Sequence, residues 1–483
     1  MQRSRGHSRA RIQVNKDWCK GCHICVEVCP QHVLEVDQEG FLRGFHPVRV
    51  ARPEDCTLCR QCELLCPDLA ISVEDVEREV LGPRHVVQEP GGETLQAIRQ
   101  REGGNWTGVP SVLPPGRHFF QGDEACAEGA IAAGCNYYAG YPITPASEIM
   151  QHVCRRFAGM TERTFIQMED EIASIASVIG ASWAGARAMT ATSGPGLSLM
   201  LENIGYAIMT EVPCVVVDVQ RAGPSTGQAT RPGQGDVMQA RFGAHGDYEI
   251  IVISPWSVQE AYEETIRSFN LAERFRVPVV LLMDEGVGHM RENMIVAAET
   301  PIYLRWTDPT QPPFGEAEVP AMPALGDGAR LLVTGSTHDA WGYRRTTSAA
   351  AQEQLVDRFV SKILKHLDEI ERTHVHLCDE DELDVLLVAY GFTARSALGA
   401  VRLAREAGVR AGLLRPTTLW PFPDQAVRDM TARAALTLVA EMNRGQVLRQ
   451  VQRLAPAARG VQKTDGEVIT ANEIWGTIQK ERM

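Results

Sequence analysis

Residues 164–192 read TFIQMEDEIASIASVIGASWAGARAMTAT, and their pattern decides the main fold. The run Thr164–Met168 predicts a strand, the small and apolar residues of Ile172–Ala184 predict a helix, and Ala188–Thr192 predicts a second strand. Two strands joined through a helix are the unit from which parallel sheets are built. This stretch therefore predicts an α/β fold with helices on both faces of a parallel sheet.

The same alternation continues along the chain from Gly122. Further strands are predicted at Cys214–Val219, Ile250–Ile253 and Val277–Met283, and further helices at Ser198–Thr210 and Val258–Phe275. A proline-rich break spans Thr300–Pro323. Beyond it, a smaller α/β domain is predicted from a helix at Thr393–Ala407 and from strands at Arg330–Thr334, Val385–Tyr390, Ala411–Leu414 and Leu436–Ala440.

The N-terminal part differs in composition, because eight of the thirteen cysteines lie within the first 66 residues. They form two copies of one spacing, Cys19-x2-Cys22-x2-Cys25-x3-Cys29-Pro30 and Cys56-x2-Cys59-x2-Cys62-x3-Cys66-Pro67. Zinc sites use pairs of CxxC, whereas a third cysteine in each run and the CP ending favour [4Fe–4S] clusters. Disulfides are disfavoured in a cytoplasmic chain. The spacing predicts two [4Fe–4S] clusters.

This doubled run resembles bacterial ferredoxins, in which the fourth cysteine of each run ligates the other cluster. The resemblance implies one cluster on Cys19, Cys22, Cys25 and Cys66, and a second on Cys29, Cys56, Cys59 and Cys62. The remaining cysteines have no such spacing and are predicted to be structural, namely Cys126, Cys135, Cys154, Cys214 and Cys378. The predicted domains are 1–74 (ferredoxin-like), 75–117 (linker or arm), 118–305 (large α/β) and 325–483 (small α/β).

The composition and net charge of the chain exclude several classes of function. The 483 residues are 44% hydrophobic and 23% charged, which is ordinary for globular proteins. The formal net charge of −13 argues against a nucleic-acid binder, which needs basic surface to neutralise phosphates. No apolar run reaches the ~18–20 residues that span a bilayer, and no apolar segment follows the N-terminal arginines as in a secretory signal. We expect a cytoplasmic protein.

Four motifs in the large domain carry a closer resemblance: YPITPASE at 141–148, QMEDEIAS at 167–174, TATSGPG at 190–196 and QRAGPSTG at 220–227. With RPTTLWPFP at 415–423, they resemble the alpha subunit of 2-oxoacid:ferredoxin oxidoreductases, most closely the 2-oxoglutarate members. The cysteine runs resemble the delta subunit of the same enzymes, fused here in front of alpha. The resemblance implies a pyrimidine-binding thiamine-enzyme domain followed by a transketolase C-terminal-like domain.

The resemblance also implies an activity and its site residues. These enzymes decarboxylate a 2-oxoacid on thiamine diphosphate, pass electrons through iron–sulfur clusters to ferredoxin, and release an acyl-CoA. Glu171 matches the glutamate that acts on the aminopyrimidine, although a carboxylate at a helix start is common in itself. Thr144 matches a substrate-binding threonine, or caps the following helix. Arg231 matches an arginine that binds the substrate carboxylate, or is simply solvated, and Ser225 and Thr226 line the same loop.

One expected feature is missing. The diphosphate-binding signature of thiamine enzymes is GDG followed by paired asparagines, but Gly326-Asp327-Gly328 has no such pair after it and is predicted to be a turn. The resemblance therefore implies a beta subunit that holds most of the thiamine diphosphate and Mg²⁺, with a further [4Fe–4S] cluster of its own. An (alpha-beta)2 assembly, a possible gamma subunit, coenzyme A, and ferredoxin or another acceptor complete the expected system.

Three functions stay open at this point. The leading one is oxidative decarboxylation of 2-oxoglutarate to succinyl-CoA and CO2, active only with the beta subunit. The second keeps this mechanism and takes pyruvate or a branched-chain 2-oxoacid. The third is a non-catalytic electron-transfer scaffold, which would have no need for Glu171, Thr144 and Arg231 together.

Overall fold

The structure is a computed structural model that describes residues 10–16, 19, 21–41, 46–58, 62, 70–75 and 105–482. The predicted cluster ligands Cys59 and Cys66 and most of the predicted linker lie outside the described residues. The chain divides into two compact units, Met1–Pro90 and Gly91–Met483.

The first unit brings the two cysteine runs together through short antiparallel strands. Ala10–Val14, before the first run, pairs with Ile71–Asp75, after the second, so that Ile12 faces Val73. Leu34–Val36 pairs with Val48–Val50 between the two runs. A helical turn, Ile24–Glu27, and a 3-10 turn, Pro53–Asp55, complete the described elements. Cysteines themselves form part of the small core, beside Leu34, Val48 and Val73.

The second unit is built on a large sheet, which we call the central sheet. Its strands are parallel except at one edge and in one added hairpin strand. The order across the sheet is Thr418–Trp420, Ile251–Ile253, Pro278–Asp284, Cys214–Ala222, Ala188–Thr192, Tyr137–Gly140 and Thr164–Gln167, with Gln228–Pro232 paired to Cys214–Ala222. The predicted parallel sheet is confirmed.

Helices cover both faces of the central sheet. They are Gly122–Ala132, Ser147–Phe157, Glu171–Trp183, Gly194–Met209, Val237–Phe242, Val258–Phe275 and Glu285–His289. Successive strand residues point to opposite faces, so Val216 and Leu282 join one core cluster while Val217 and Leu281 join the other. Burial on both faces explains why these strands are continuous apolar runs rather than alternating ones.

Two short hairpin-like sheets flank the central sheet. Gly116–Gln121 pairs with Arg291–Val296, and Trp106–Pro110 pairs with Glu299–Tyr303. The C-terminal end of the predicted linker therefore packs as strands against the segment that follows the last helix of the large domain.

A second, smaller sheet follows in the order Thr373–His376, Ala411–Pro416, Leu383–Ala389, Ala434–Glu441 and Arg459–Gln462. Its accompanying helices are Ala349–Leu364, Leu367–Ile370, Gly391–Glu406, Asp424–Ala432, Gln446–Leu454 and Ala471–Glu481. The two sheets share one core cluster, which includes Val216 and Leu282 of the central sheet and Leu386 and Val388 of the smaller one.

The predicted strand at Arg330–Thr334 is wrong. These residues are irregular: Leu331 and Val333 pack against the core, while Leu332 is 43% exposed. The inward–outward alternation mimics a strand, but the segment runs over the surface without a pairing partner among the described residues. The preceding Gly326-Asp327-Gly328 forms the predicted turn, with positive φ at both glycines.

Candidate functional site

Glu171 is a buried carboxylate at the carboxyl edge of the central sheet. It is the first residue of the helix Glu171–Trp183, and Asp170 caps that helix by accepting a 2.7 Å hydrogen bond from the Ala173 amide. Glu171 is 5% exposed, whereas Glu169 is exposed to solvent. Burial raises the pKa of Glu171 above its ordinary value, because water no longer stabilises the charged form.

The start of a second helix closes around Glu171. A Cβ atom on Gly196 would lie 2.5 Å from Glu171 Oε1 and 2.0 Å from Thr192 Oγ1, so only glycine fits there. The loop that the sequence marks as SGPG therefore brings backbone, rather than a side chain, against the carboxylate. This close approach holds the Glu171 side chain from one side.

Thr144 lies in the loop between the strand Tyr137–Gly140 and the helix Ser147–Phe157. Arg221, itself only 7% exposed, donates a 2.6 Å hydrogen bond from Nη1 to the Thr144 carbonyl oxygen. The alternative helix-capping role of Thr144 is not observed, because the N-cap residue is Ala146 and no side chain caps the helix. The half-buried Thr144 side chain is thus left for another role.

Arg231 is on the surface in this structure. Its side chain is 53% exposed, and Nη1 lies 2.7 Å from Glu467 Oε1. Ser225 and Thr226 occupy the exposed turn that leads to it. Gly227 has a φ of +50°, and a Cβ there would lie 1.9 Å from the Ala222 carbonyl oxygen, so this tight turn requires glycine.

Sheet topology brings these predicted residues to one edge. Tyr137–Gly140 and Thr164–Gln167 are parallel, so the loop with Thr144 and the helix start with Glu171 emerge side by side. The hairpin that carries Ser225, Thr226 and Arg231 extends from the carboxyl end of Cys214–Ala222 in the same sheet. Ligand-binding loops of open α/β sheets occupy this edge.

Two acidic side chains near the site, one fully buried and one half-buried, were not identified from the sequence. Asp218 lies in the strand Cys214–Ala222 and is fully buried, and Asp236 lies against the start of the helix Gly194–Met209. Burial and the negative charge of Asp236 raise the pKa of Asp218 well above its usual value, because both disfavour the charged form of this carboxyl. One charged residue within the apolar run CVVVDV was the signal for it.

Most of the first unit's cysteines that the structure describes are buried. Cys19, Cys25, Cys29 and Cys62 are buried, Cys56 is half-buried and Cys22 is exposed. Three of the four ligands implied for the second cluster line one cavity, namely Cys29, Cys56 and Cys62, and the Val33 amide donates a 3.3 Å hydrogen bond to Cys29 Sγ. Cavity, thiols and an amide directed at sulfur are features that an iron–sulfur cluster uses.

The other five cysteines differ among themselves. Cys126, Cys135 and Cys214 are fully buried, and burial raises the pKa of each thiol to about 12, which makes these thiols unreactive. Cys378 is half-buried, whereas Cys154 is exposed on the helix Ser147–Phe157.

Three family models match the chain. Residues 18–70 match a 4Fe-4S dicluster domain, residues 128–358 match the thiamine-diphosphate-binding domain of pyruvate flavodoxin/ferredoxin oxidoreductases, and residues 383–474 match core domain II of pyruvate:ferredoxin oxidoreductases. These matches confirm the predicted fold class of a small iron–sulfur domain followed by two α/β domains.

Relatives and a solved structure agree with these models. The chain is 49% identical over 372 residues to 2-oxoglutarate synthase subunit KorA of Methanothermobacter marburgensis, covering 75% of this chain and 98% of the relative. It is 34% identical over 384 residues to ketoisovalerate oxidoreductase subunit VorB of Methanothermobacter thermautotrophicus, covering 75% and 97%.

The solved structure is 2-oxoglutarate:ferredoxin oxidoreductase from Magnetococcus marinus with 2-oxoglutarate, coenzyme A and succinyl-CoA bound. It is 32% identical to this chain with a TM-score of 0.72, and the match covers 77% of this chain and 66% of that one.

Proposed function

Because the chain belongs to the pyruvate flavodoxin/ferredoxin oxidoreductase family, we propose that it is the fused delta–alpha subunit of a 2-oxoglutarate:ferredoxin oxidoreductase. The reaction converts 2-oxoglutarate and coenzyme A to succinyl-CoA and CO2, and two electrons leave through [4Fe–4S] clusters to ferredoxin. The substrate is supported by 49% identity to a 2-oxoglutarate synthase subunit, against 34% to a ketoisovalerate enzyme subunit. The chain is thus a subunit of a CoA-acylating oxidoreductase.

The buried position of Glu171 is the observation that carries the catalytic proposal. Thiamine diphosphate, when bound, supplies the nucleophilic carbon of the decarboxylation. Glu171 would hold the proton that the bound cofactor exchanges when it is activated. A raised pKa suits this role, because the carboxyl then exchanges its proton closer to neutral pH. The Gly196 backbone keeps the carboxylate in position.

Substrate binding is assigned to the loops at the same edge of the sheet. We assign the 2-oxoacid end to Thr144, whose loop is held by Arg221. Arg231 binds a substrate carboxylate with its two-pronged guanidinium, exchanging Glu467 for the substrate. Ser225 and Thr226 contact the distal end of the substrate.

The cluster ligands are proposed as the ferredoxin pattern gives them, with Cys19, Cys22, Cys25 and Cys66 on one cluster and Cys29, Cys56, Cys59 and Cys62 on the other. The cavity lined by three cysteines of the second set supports this arrangement. The domain division at 1–74, 75–117, 118–305 and 325–483 is part of the same proposal.

A separate beta subunit completes the enzyme in this proposal. It holds the diphosphate and Mg²⁺, since the GDG segment of this chain is a surface turn with two positive-φ glycines. Further partners in the proposal are a [4Fe–4S] cluster on the beta subunit, a possible gamma subunit, ferredoxin as acceptor and an (alpha-beta)2 assembly. A cytoplasmic location would keep the cluster thiols reduced. Among the described residues, every helix is too short or too polar to cross a membrane.

The decisive variant is Glu171→Gln in the complex with the beta subunit, assayed with 2-oxoglutarate, pyruvate and 2-oxoisovalerate. Glutamine keeps the size of the side chain but cannot exchange the proton, so we expect kcat with 2-oxoglutarate to fall by about 10²–10⁴-fold. Thiamine diphosphate content and the cluster spectrum should be unchanged. A preference of the wild-type complex for pyruvate or 2-oxoisovalerate would overturn the assigned substrate.

Glu169→Gln is the matched control, because Glu169 is two residues away and exposed. We expect this variant to turn over at the wild-type rate. If Glu169→Gln lost activity while Glu171→Gln kept it, the assignment of the catalytic glutamate would be wrong.

A further inference from the structure

A group of acidic and imidazole side chains lies beside the loop that carries Thr144. Asp123 is in the first turn of the helix Gly122–Ala132, Glu148 is in the first turn of Ser147–Phe157, and His289 ends the helix Glu285–His289. One ligand atom from each residue lies within 4.8 Å of the other two. We call these three residues the Asp123 cluster.

The polar atoms that face each other in the Asp123 cluster lack hydrogen-bond partners. Asp123 is 0% exposed, and neither of its carboxylate oxygens has a partner. Glu148 Oε2 and His289 Nε2 are also buried and unpartnered. A buried carboxylate without any donor is costly, so its presence points to a ligand that the side chains alone do not supply.

The spacing suits a shared ion better than direct contact. His289 Nε2 lies 3.8 Å from Asp123 Oδ2 and 3.8 Å from Glu148 Oε2. A charge-assisted hydrogen bond between such groups would be about 2.7–2.9 Å long. Two ligand atoms that each lie about 2.0–2.2 Å from one tetrahedral metal ion are about 3.3–3.6 Å apart. Both observed distances are too long for a hydrogen bond and exceed the tetrahedral spacing by a few tenths of an ångström, so a small side-chain movement would bring the atoms to ligand spacing.

Glu285 orients the imidazole from behind. Its Oε1 lies 3.2 Å from His289 Nδ1, so a ring that gives up its Nε2 proton to a metal ion keeps its remaining proton on Nδ1, with Nε2 directed at Asp123 and Glu148. Histidines that bind metals usually have such a carboxylate on their second ring nitrogen, which fixes the tautomer and the ring orientation.

Close packing of glycines fixes the backbone around the cluster. A Cβ on Gly288 would lie 2.7 Å from Asp123 Oδ1, and a Cβ on Gly122 would lie 2.0 Å from the Val287 carbonyl oxygen. Neither position has room for a side chain, so the two helix ends keep Asp123 and His289 opposite each other.

The charge balance also favours a cation. The charged side chains with the strongest effect on Asp123 are one imidazole, from His289, and three carboxylates, from Glu148, Glu285 and Glu124. Of these, Glu124 is neutralised by Arg291, with Arg291 Nη1 3.3 Å from Glu124 Oε2. The remaining carboxylates outnumber the imidazole, and a divalent ion would offset the excess.

We propose that Asp123, Glu148 and His289 bind a divalent transition-metal ion, with Zn²⁺ the best match to one imidazole and two carboxylates. Hard Mg²⁺ and Ca²⁺ prefer sites made of oxygen atoms alone. The ion enters from the solvent side, where the side chains of Glu148 and His289 are 39% and 29% exposed. Bound there, it ties the first turn of Ser147–Phe157, and hence the end of the Thr144 loop, to the helix Gly122–Ala132. This site is separate from the Mg²⁺ that we assign to the beta subunit.

The test is a metal measurement on the full-length chain in its complex with the beta subunit, purified without oxygen. After dialysis against a weak chelator, Zn²⁺ is titrated back and counted by mass spectrometry, with iron as the internal measure of cluster content. Wild type should regain about one zinc per chain, and His289→Gln should lose it while keeping its iron. Wild type that regains no zinc would overturn the proposal.

Further variants separate the site from other zinc binding and from misfolding. Glu148→Gln changes a partly exposed ligand and should weaken zinc binding without unfolding the chain, and Glu285→Gln should weaken it by about 10–100-fold through loss of imidazole orientation. Glu124→Gln, and His245→Gln at an exposed histidine outside the cluster, leave all three ligands in place and should bind zinc as wild type does. Zinc that persists in His289→Gln would belong to other thiols or surface groups, and the assignment would then be wrong.

Discussion

Arg231 and Glu467 form an exposed ion pair at the point where the substrate carboxylate is proposed to bind. Exposed pairs are worth little, so exchanging the partner carboxylate costs little. We expect Arg231→Lys to raise KM for 2-oxoglutarate, because lysine keeps the charge but loses the two-pronged contact. Arg231→Met should raise it further. Glu467→Gln should lower KM, since the competing carboxylate is removed; steady-state kinetics of the complex checks all three variants.

Arg453→Lys is the control for these variants, since Arg453 forms a similarly exposed pair with Asp424 away from the proposed substrate loops. Its KM should equal that of wild type. An unchanged KM in Arg231→Met would remove Arg231 from the substrate site.

At the scale of single residues, the sequence allowed roles to be proposed for side chains but did not predict their burial or their contact partners. Glu171, Thr144 and Arg231 were proposed from motifs, and their roles stay predictions. Their surroundings depend on contacts between distant parts of the chain, such as Arg221 with Thr144 and Arg231 with Glu467, which no local pattern shows. Asp218 was missed for the same reason: it is buried because its strand lies inside the sheet, with Leu282 and Thr192 as its neighbours on the two adjacent strands.

At the scale of elements, the start of the helix Gly194–Met209 controls Glu171. In Gly196→Ala the new Cβ would collide with Thr192 Oγ1 and Glu171 Oε1, so the carboxylate must move. We expect a fall in kcat, together with a loss of stability of about 1–3 kcal/mol from overpacking. Turnover and thermal unfolding of the same preparation measure the two effects.

Gly180→Ala provides the comparison. Gly180 lies within the helix Glu171–Trp183, and a Cβ there meets nothing within 4 Å. This variant should be more stable by about 0.5–1 kcal/mol and fully active. A fully active Gly196→Ala would show that Glu171 does not depend on this packing.

The helix Ala349–Leu364 is anchored by a buried ionic cluster around Glu211. Arg358 Nη2 lies 2.7 Å and Lys362 Nζ 2.9 Å from the Glu211 oxygens. Glu211→Gln leaves these cations buried without their carboxylate, so we expect a loss of about 3–5 kcal/mol in the free energy of unfolding. Denaturant unfolding measures this loss, and an exposed control, Asp384→Asn, should change it little.

The buried ionic cluster around Glu211 also predicts how the free energy of unfolding depends on pH. The cations beside Glu211 lower its pKa from about 4.5 to about 2, so the folded state favours the charged form. A lowered pKa gives stability that is present above about pH 4.5 and is lost as the pH falls towards 2. Glu211→Gln should therefore lose stability less steeply than wild type over this range. Parallel curves for the two proteins would contradict the assignment.

Elements with strong local patterns were predicted well. The helix Val258–Phe275 and the strand Ala188–Thr192 have the expected bounds, because amphipathic periodicity and a fully buried apolar run are properties of the segment itself. Arg330–Thr334 failed because its apolar residues pack onto a core made by other segments. A strand needs a neighbouring strand to pair with by hydrogen bonds, and a five-residue segment does not show whether such a neighbour will be present.

At the scale of the whole molecule, the two cysteine runs predict the metal content. Purified without oxygen, the chain should carry about eight iron atoms. Cys62→Ala removes a buried thiol from the cavity that Cys29, Cys56 and Cys62 line. This variant should lose one cluster and keep the other, which iron analysis and redox titration at low potential would measure. Cys378→Ala should keep all the iron. About four iron atoms in wild type would contradict the two-cluster assignment.

The order of parts along the chain was predictable, and the family models confirm the fold class. The way the parts combine was not. The RPTTLWPFP motif was read as part of a C-terminal domain, yet its strand Thr418–Trp420 completes the edge of the central sheet beside Ile251–Ile253. Strand partners far apart in the sequence are selected by the assembled core, not by local composition.

The edge strand Thr418–Trp420 limits where the gene can be divided or recombined. A gene cut in the proline-rich segment around residues 300–323 would look like a clean separation of two modules. The first fragment would, however, be left with Ile251–Ile253 as an uncovered ladder of amides and carbonyls, ready to associate with another chain. The cut would also divide the shared core cluster, because Leu282 would be in the first fragment and Leu386 in the second. The two halves are therefore expected to melt together in one calorimetric transition, and to be recombined between relatives only as a single piece.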